Sequence, residues 1–84
     1  MQVEYIKLIK SRGKVVGLKQ TLREIEEKNI DCVILADDAD PDYRRKILQS
    51  CKDENIEIFN IASSLELAGL CDIIVPTSVC GILK

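Results

Sequence analysis

The stretch Cys32-Val33-Ile34-Leu35-Ala36-Asp37-Asp38-Ala39-Asp40-Pro41 decides the fold. Its first five residues are apolar without interruption. A strand with one wet face alternates apolar and polar residues; an unbroken run marks a strand covered on both faces, inside a sheet. Asp40 then offers a side-chain oxygen to the unpaired amides of a new helix. Pro41 takes the first helical position, where a missing N–H costs nothing. A buried strand running straight into a capped helix is the start of an α/β unit.

Downstream, the helix directs Ile47, Leu48 and Cys51 inward and stops near Asn55. Residues 56–61 read as another strand. Ser63-x-x-Glu66 is a capping box ahead of Leu65, Leu67 and Ala68, and Gly69 closes that short helix. Residues 71–78 read as a loop and 79–83 as a last strand. Upstream, Lys14-Val15-Val16 is a short strand. Gly17 follows, then a helix to about Lys28 with Leu18, Leu22 and Ile25 on one buried stripe, stopped by Asn29. Val3, Ile6 and Ile9 have helical spacing over residues 2–11, and Gly13 breaks that segment. Strand and helix alternate throughout. The pattern predicts one α/β domain over residues 1–84, a three-layer α/β/α sandwich around a mixed four-stranded sheet.

Composition narrows the function. The 84 residues contain no histidine, which removes Ser–His and Cys–His nucleophile pairs and histidine metal ligands. Cys32, Cys51, Cys71 and Cys80 are spaced by 19, 20 and 9, with no C-x-x-C pair, and each adjoins an apolar run. They read as small core residues rather than as a zinc site or a disulfide framework. There is no phosphate-binding glycine motif. No apolar run approaches the ~18 residues of a membrane span, and Met1-Gln2-Val3-Glu4-Tyr5 lacks the features of a secretory signal, so a cytoplasmic location is expected. Asp37 and Asp38 follow the central strand, where carboxylates can hold Mg²⁺ or accept a phosphoryl group. No glycine, threonine or lysine completes such a pocket, and Asp37 and Asp38 are ordinary turn residues beside the cap Asp40.

The charge is unevenly spread. Residues 1–23 carry six basic side chains against Glu4, a net of +5; the rest carries six basic against thirteen acidic, a net of −7. Within the basic part, Lys19, Gln20 and Arg23 share the outer side of a helix start, where free backbone N–H groups favour an anion. Lysine and arginine donate to phosphate or guanine; a glutamine amide both donates and accepts on a base edge. Ile73-Ile74-Val75-Pro76-Thr77 is a second candidate, because an apolar loop is either buried or an apolar contact surface for a partner or an unstacked base.

Val16-Gly17-Leu18-Lys19-Gln20-Thr21-Leu22-Arg23, Leu35-Ala36-Asp37-Asp38-Ala39-Asp40-Pro41, and Glu66-Leu67 through Ile73-x-Val75-Pro76 occur in the order and separation seen in one family. The chain resembles the ribosomal protein L-seven-Ae / L-thirty-e family of kink-turn RNA binders, especially its short bacterial members. The resemblance implies a non-enzymatic protein, without cofactor or metal, that binds a bent RNA helix with tandem sheared G·A pairs. It places Lys19, Gln20 and Arg23 in the groove, Gly17 and Leu18 against the RNA by backbone, and Lys14 on the approach to the phosphates. It places Ile73, Ile74, Val75 and Pro76 against flipped-out nucleotides. Structured RNA, ribosomal RNA among the candidates, is the implied partner; neither membrane nor DNA is expected. Asp72 and Ile74 stand where the family has glycine and glutamate. With the acidic body of the chain, they motivate a second reading, a protein-interaction adaptor of the same fold that no longer binds RNA.

Overall fold

The computed structural model describes residues 13–71 and 77–84. The helix expected over residues 2–11 and the apolar segment 73–76 lie outside these. The order of elements is β1 (Lys14–Val16), α1 (Leu18–Glu26), β2 (Ile30–Ala36), α2 (Pro41–Asp53), β3 (Glu57–Ile61), α3 (Ser64–Leu70) and β4 (Val79–Leu83). The four strands form one mixed sheet in the order β1-β4-β2-β3. β2 lies inside it, parallel to β3 and antiparallel to β4, as its unbroken apolar run predicts.

The alternation of side chains along β2 divides the core into two layers. Cys32, Ile34 and Ala36 face α3 and pack with Ile61, Leu67, Cys71, Cys80 and Ile82. Val33 and Leu35 face α1 and α2 and pack with Ile25, Ile47, Cys51 and Val79. Ile30 joins the second layer because the register slips between Ile30 and Cys32: Ile30 pairs with Leu83 and Cys32 with Ile82. One extra residue, Asp31, sits in the bulge and resets which face Ile30 uses. Helices thus cover both faces, and the sandwich expected from the sequence is present.

Local chemistry sets the helix ends. Asp40 Oδ1 accepts from the Asp42 amide at 2.9 Å, and Ser63 Oγ accepts from Glu66 N at 3.1 Å. α1 and α2 both end in a left-handed residue, Lys28 (φ 62°) and Asn55 (φ 55°). In each case the next amide reaches back five residues, Asn29 N to Glu24 O and Ile56 N to Cys51 O. Asn29 therefore sits one residue past the left-handed turn, with its side chain donating to Glu24 Oε1 at 2.9 Å.

Several expected details differ. Leu48 is 44% exposed and Leu65 71% exposed. α2 buries only Ile47 and Cys51, an i,i+4 pair, so its apolar stripe is narrower than the sequence suggests. Gly69 lies inside α3, which runs to Leu70 and is capped by Cys71. In α1 the fully buried pair is Thr21 and Ile25, while Leu18 and Leu22 are half-buried flanks. The cause lies in β4. A Cβ at Gly81 would stand 2.7 Å from Ile30 Cδ1 and 3.2 Å from both Thr21 Cγ2 and Val15 Cγ2. Only a residue without a side chain lets α1 come this close to the sheet, and the close approach puts the small Thr21 at the contact.

Candidate nucleic-acid interface

Strand directions bring all three described helix starts to one end of the sheet. β2 and β3 finish there at Ala36 and Ile61; β4, antiparallel, begins there at Val79; β1 finishes there at Val16. Backbone bonds tie this end together: Gly17 N to Val79 O at 3.1 Å, Ala36 N to Ser78 O at 2.8 Å, and Asp37 N to Ile61 O at 2.7 Å. In mixed α/β sheets such a strand end, crossed by helix starts, is where ligands bind.

The three starts are chemically unequal. α2 is capped by Asp40 and has Asp42 in its first turn; α3 is capped by Ser63 and has Glu66. α1 has no side-chain cap and no acid in its first turn. Its N-cap is Gly17, held at φ 94°, where a side chain would be strained although the space is open. Unneutralised N–H groups and the positive end of the helix dipole therefore point outward from α1.

Lys19 and Gln20 are exposed on the first turn of α1 and Arg23 is exposed on its last, and their i,i+3 and i,i+4 spacing makes them neighbours. Arg23 pairs with Glu27 at 3.4 Å, with both side chains more than half exposed. Such a pair is worth at most ~0.5 kcal/mol and exchanges readily for a phosphate. Lys19 and Arg23, with Leu22, Glu26 and Ser50, line a groove of about 420 Å³ between α1 and α2. Leu18 packs against the core beneath this surface. Lys14 is exposed on β1, opposite Ile82. Because Val15 packs on the α1/α2 layer, Lys14 turns to the other face of that edge strand.

The residues flanking the apolar segment are firmly anchored. Cys71, before it, is buried. Thr77, after it, is buried, donates its amide to Ser64 O at 3.4 Å and its hydroxyl to Val79 O at 3.0 Å. Ser64 in turn donates both N–H and Oγ to Asp38 Oδ1, at 2.9 and 2.6 Å, and its hydroxyl contacts Ser78 Oγ at 3.2 Å. Sequence reading takes Asp38 for a turn residue. Its partner lies 26 positions away, so no local pattern marks the contact. Among the described residues no group of three or more His, Cys, Asp or Glu could hold a metal ion. Arg44 occupies the neighbourhood of Asp37, 3.8 Å from its carboxylate, and donates to Ala36 O. No described helix is long and apolar enough to cross a membrane.

The family model described as "Ribosomal protein L7Ae/L30e/S12e/Gadd45 family" matches residues 3–84. The chain belongs to this family. Among its relatives is an RNA-binding protein of Geobacillus sp. (strain WCH70), 32% identical over 82 residues that cover 98% of this chain and all of the relative. An RNA-binding protein of Geobacillus stearothermophilus is 29% identical over the same length, again over the whole relative. The solved structure of the Giardia lamblia 15.5kD RNA binding protein superposes with a TM-score of 0.86 at 27% identity, covering 98% of this chain and 72% of that one. For this L7Ae/L30e-type chain the match thus runs over nearly its whole length.

Proposed function

We propose that this chain is a non-enzymatic RNA-binding protein that recognises kink-turns in structured RNA, ribosomal RNA among them. The single observation that carries the reading is the start of α1. It alone of the three described helix starts lacks both a cap and an acid, and it alone presents Lys19, Gln20 and Arg23. In this reading the phosphates of a kinked strand meet the open N–H groups behind Gly17 and Leu18. Lys19 and Arg23 donate to guanine edges or phosphates, and Gln20 reads a base edge beside the sheared G·A pairs. In this reading Ile73, Ile74, Val75 and Pro76 supply an apolar contact for flipped-out nucleotides, and Thr77, which follows them, is fixed to Ser64 and Val79 at the end of the sheet where α1 starts. Lys14, on the edge strand, contributes long-range attraction.

The mechanism is selection of a conformer. A protein that binds only the bent RNA shifts the RNA's population toward it by its differential affinity. The whole chain acts as one domain, and no bond of the RNA is made or broken. A gel-shift titration against a kink-turn, and against the same RNA with its G·A pairs replaced by Watson–Crick pairs, tests this. Tight binding to the first alone is expected; equal affinity for the two overturns the reading.

A further inference from the structure

Cys71 ends α3 and Cys80 lies in β4, and both belong to the core layer between α3 and the sheet. Their sulfur atoms are 3.5 Å apart, in contact across the layer. A disulfide needs a separation of about 2.05 Å, so a closure of roughly 1.5 Å would join them. Cys51 belongs to the opposite layer, with the sheet between. Nothing in the RNA-binding reading uses this pair.

We propose that Cys71 and Cys80 are a modification site: on exposure to a peroxide they form a reversible intramolecular disulfide that staples the end of α3 to β4. Cys71 is the sulfur that meets the peroxide first, because 4% of its surface remains exposed and Cys80 has none. The Cys71 sulfur, as thiolate, attacks one peroxide oxygen. The O–O bond breaks, hydroxide leaves and takes a proton to become water, and Cys71 is left as a sulfenic acid. The Cys80 sulfur then attacks Cys71 Sγ. The S–O bond breaks, and the departing hydroxide takes the Cys80 proton. Two thiols and one hydrogen peroxide become one disulfide and two waters. The hydrogen bond with Cys71 and burial hold the Cys80 thiol protonated well above its ordinary range.

The test contains no RNA, so its outcome is independent of the RNA-binding reading. The full-length folded protein is treated with hydrogen peroxide, its remaining thiols are alkylated in denaturant, and it is cut before aspartates. That cleavage places Cys32, Cys51, Cys71 and Cys80 on separate peptides, 31–36, 42–52, 53–71 and 72–84. The expected result is one linked species, 53–71 with 72–84, and an intact mass lower by about 2 Da, restored by dithiothreitol. The oxidised protein should melt about 5–10 °C higher, because a short covalent ring restricts the unfolded chain. Cys80→Ala should abolish the link; the wild-type peptide map remains decisive if that variant does not fold. Four fully alkylated cysteines after peroxide, a link to 31–36 or 42–52, or a lower melting temperature would each overturn the proposal.

Discussion

Asp38 and Ser64 are joined twice: one carboxylate oxygen accepts the Ser64 amide at 2.9 Å and the Ser64 hydroxyl at 2.6 Å. The bonds lock the start of α3 to the turn after β2. Through Ser64 O they also hold Thr77, which leads into β4. Hydrogen bonds to a charged acceptor are worth ~1.5–3 kcal/mol, less where the group is exposed as here. Asp38→Ala should lower the urea-unfolding free energy by about 1–2 kcal/mol, and Asp38→Asn by less, since an amide oxygen still accepts. An Asp38→Ala midpoint equal to wild type would show that the clamp contributes nothing.

If α1 reads RNA, Lys19→Ala and Arg23→Ala should each weaken kink-turn binding by about 1–3 kcal/mol for base-edge contacts, roughly 5- to 150-fold in Kd. Neither should change stability by more than ~0.5 kcal/mol, because both side chains are exposed. Binding should also weaken with salt, and a flat plot of log affinity against log salt would remove the phosphate contacts.

Two glycines should fail for different reasons. Gly81→Ala puts a methyl 2.7 Å from Ile30 Cδ1 of β2 and 3.2 Å from Thr21 Cγ2 of α1, so these side chains must shift, and it should cost about 1–3 kcal/mol by chemical denaturation. Gly17→Ala meets no atom within 4 Å but is held at φ 94°. It should cost ~1–2 kcal/mol and act on RNA affinity as well, by reshaping the start of α1. A Gly81→Ala protein as stable as wild type would mean the close approach is not tight.

Neighbouring residues of α2 should behave oppositely. Ile47 is fully buried, so Ile47→Ala should lose about 2–4 kcal/mol; Leu48 is 44% exposed, so Leu48→Ala should lose under ~1 kcal/mol. Equal losses in thermal melts would contradict the helix phase described above.

Burial raises the Cys51 thiol from 9.0 to about 11. Between these values the folded chain keeps a proton that the unfolded chain has lost, so stability is present below pH 9 and falls as pH rises toward 11. The fall is on the order of 2 kcal/mol. Unfolding free energies measured from pH 8 to 11 should decline more steeply for wild type than for Cys51→Ala; parallel profiles would argue against this origin.

Features that depend on near neighbours along the chain were legible before any coordinates. An unbroken apolar run of five residues ahead of a capped helix points to a doubly covered strand, Asp40-Pro41 and Ser63-x-x-Glu66 begin helices, and Gly17 followed by Lys19, Gln20 and Arg23 makes a basic helix start, because caps, periods and dipoles act within a turn or two. Tertiary structure alone decided the rest. It showed that Thr21 is the buried contact of α1, because Gly81 leaves a gap 60 positions later in the chain, and that no described element covers Leu48 and Leu65, which stay exposed. Likewise it gave Asp38 its partner in Ser64 and Cys71 its partner in Cys80. Those pairings are set by how strands order themselves in a sheet, and hydrogen bonds and packing over such separations leave no periodic trace along the chain.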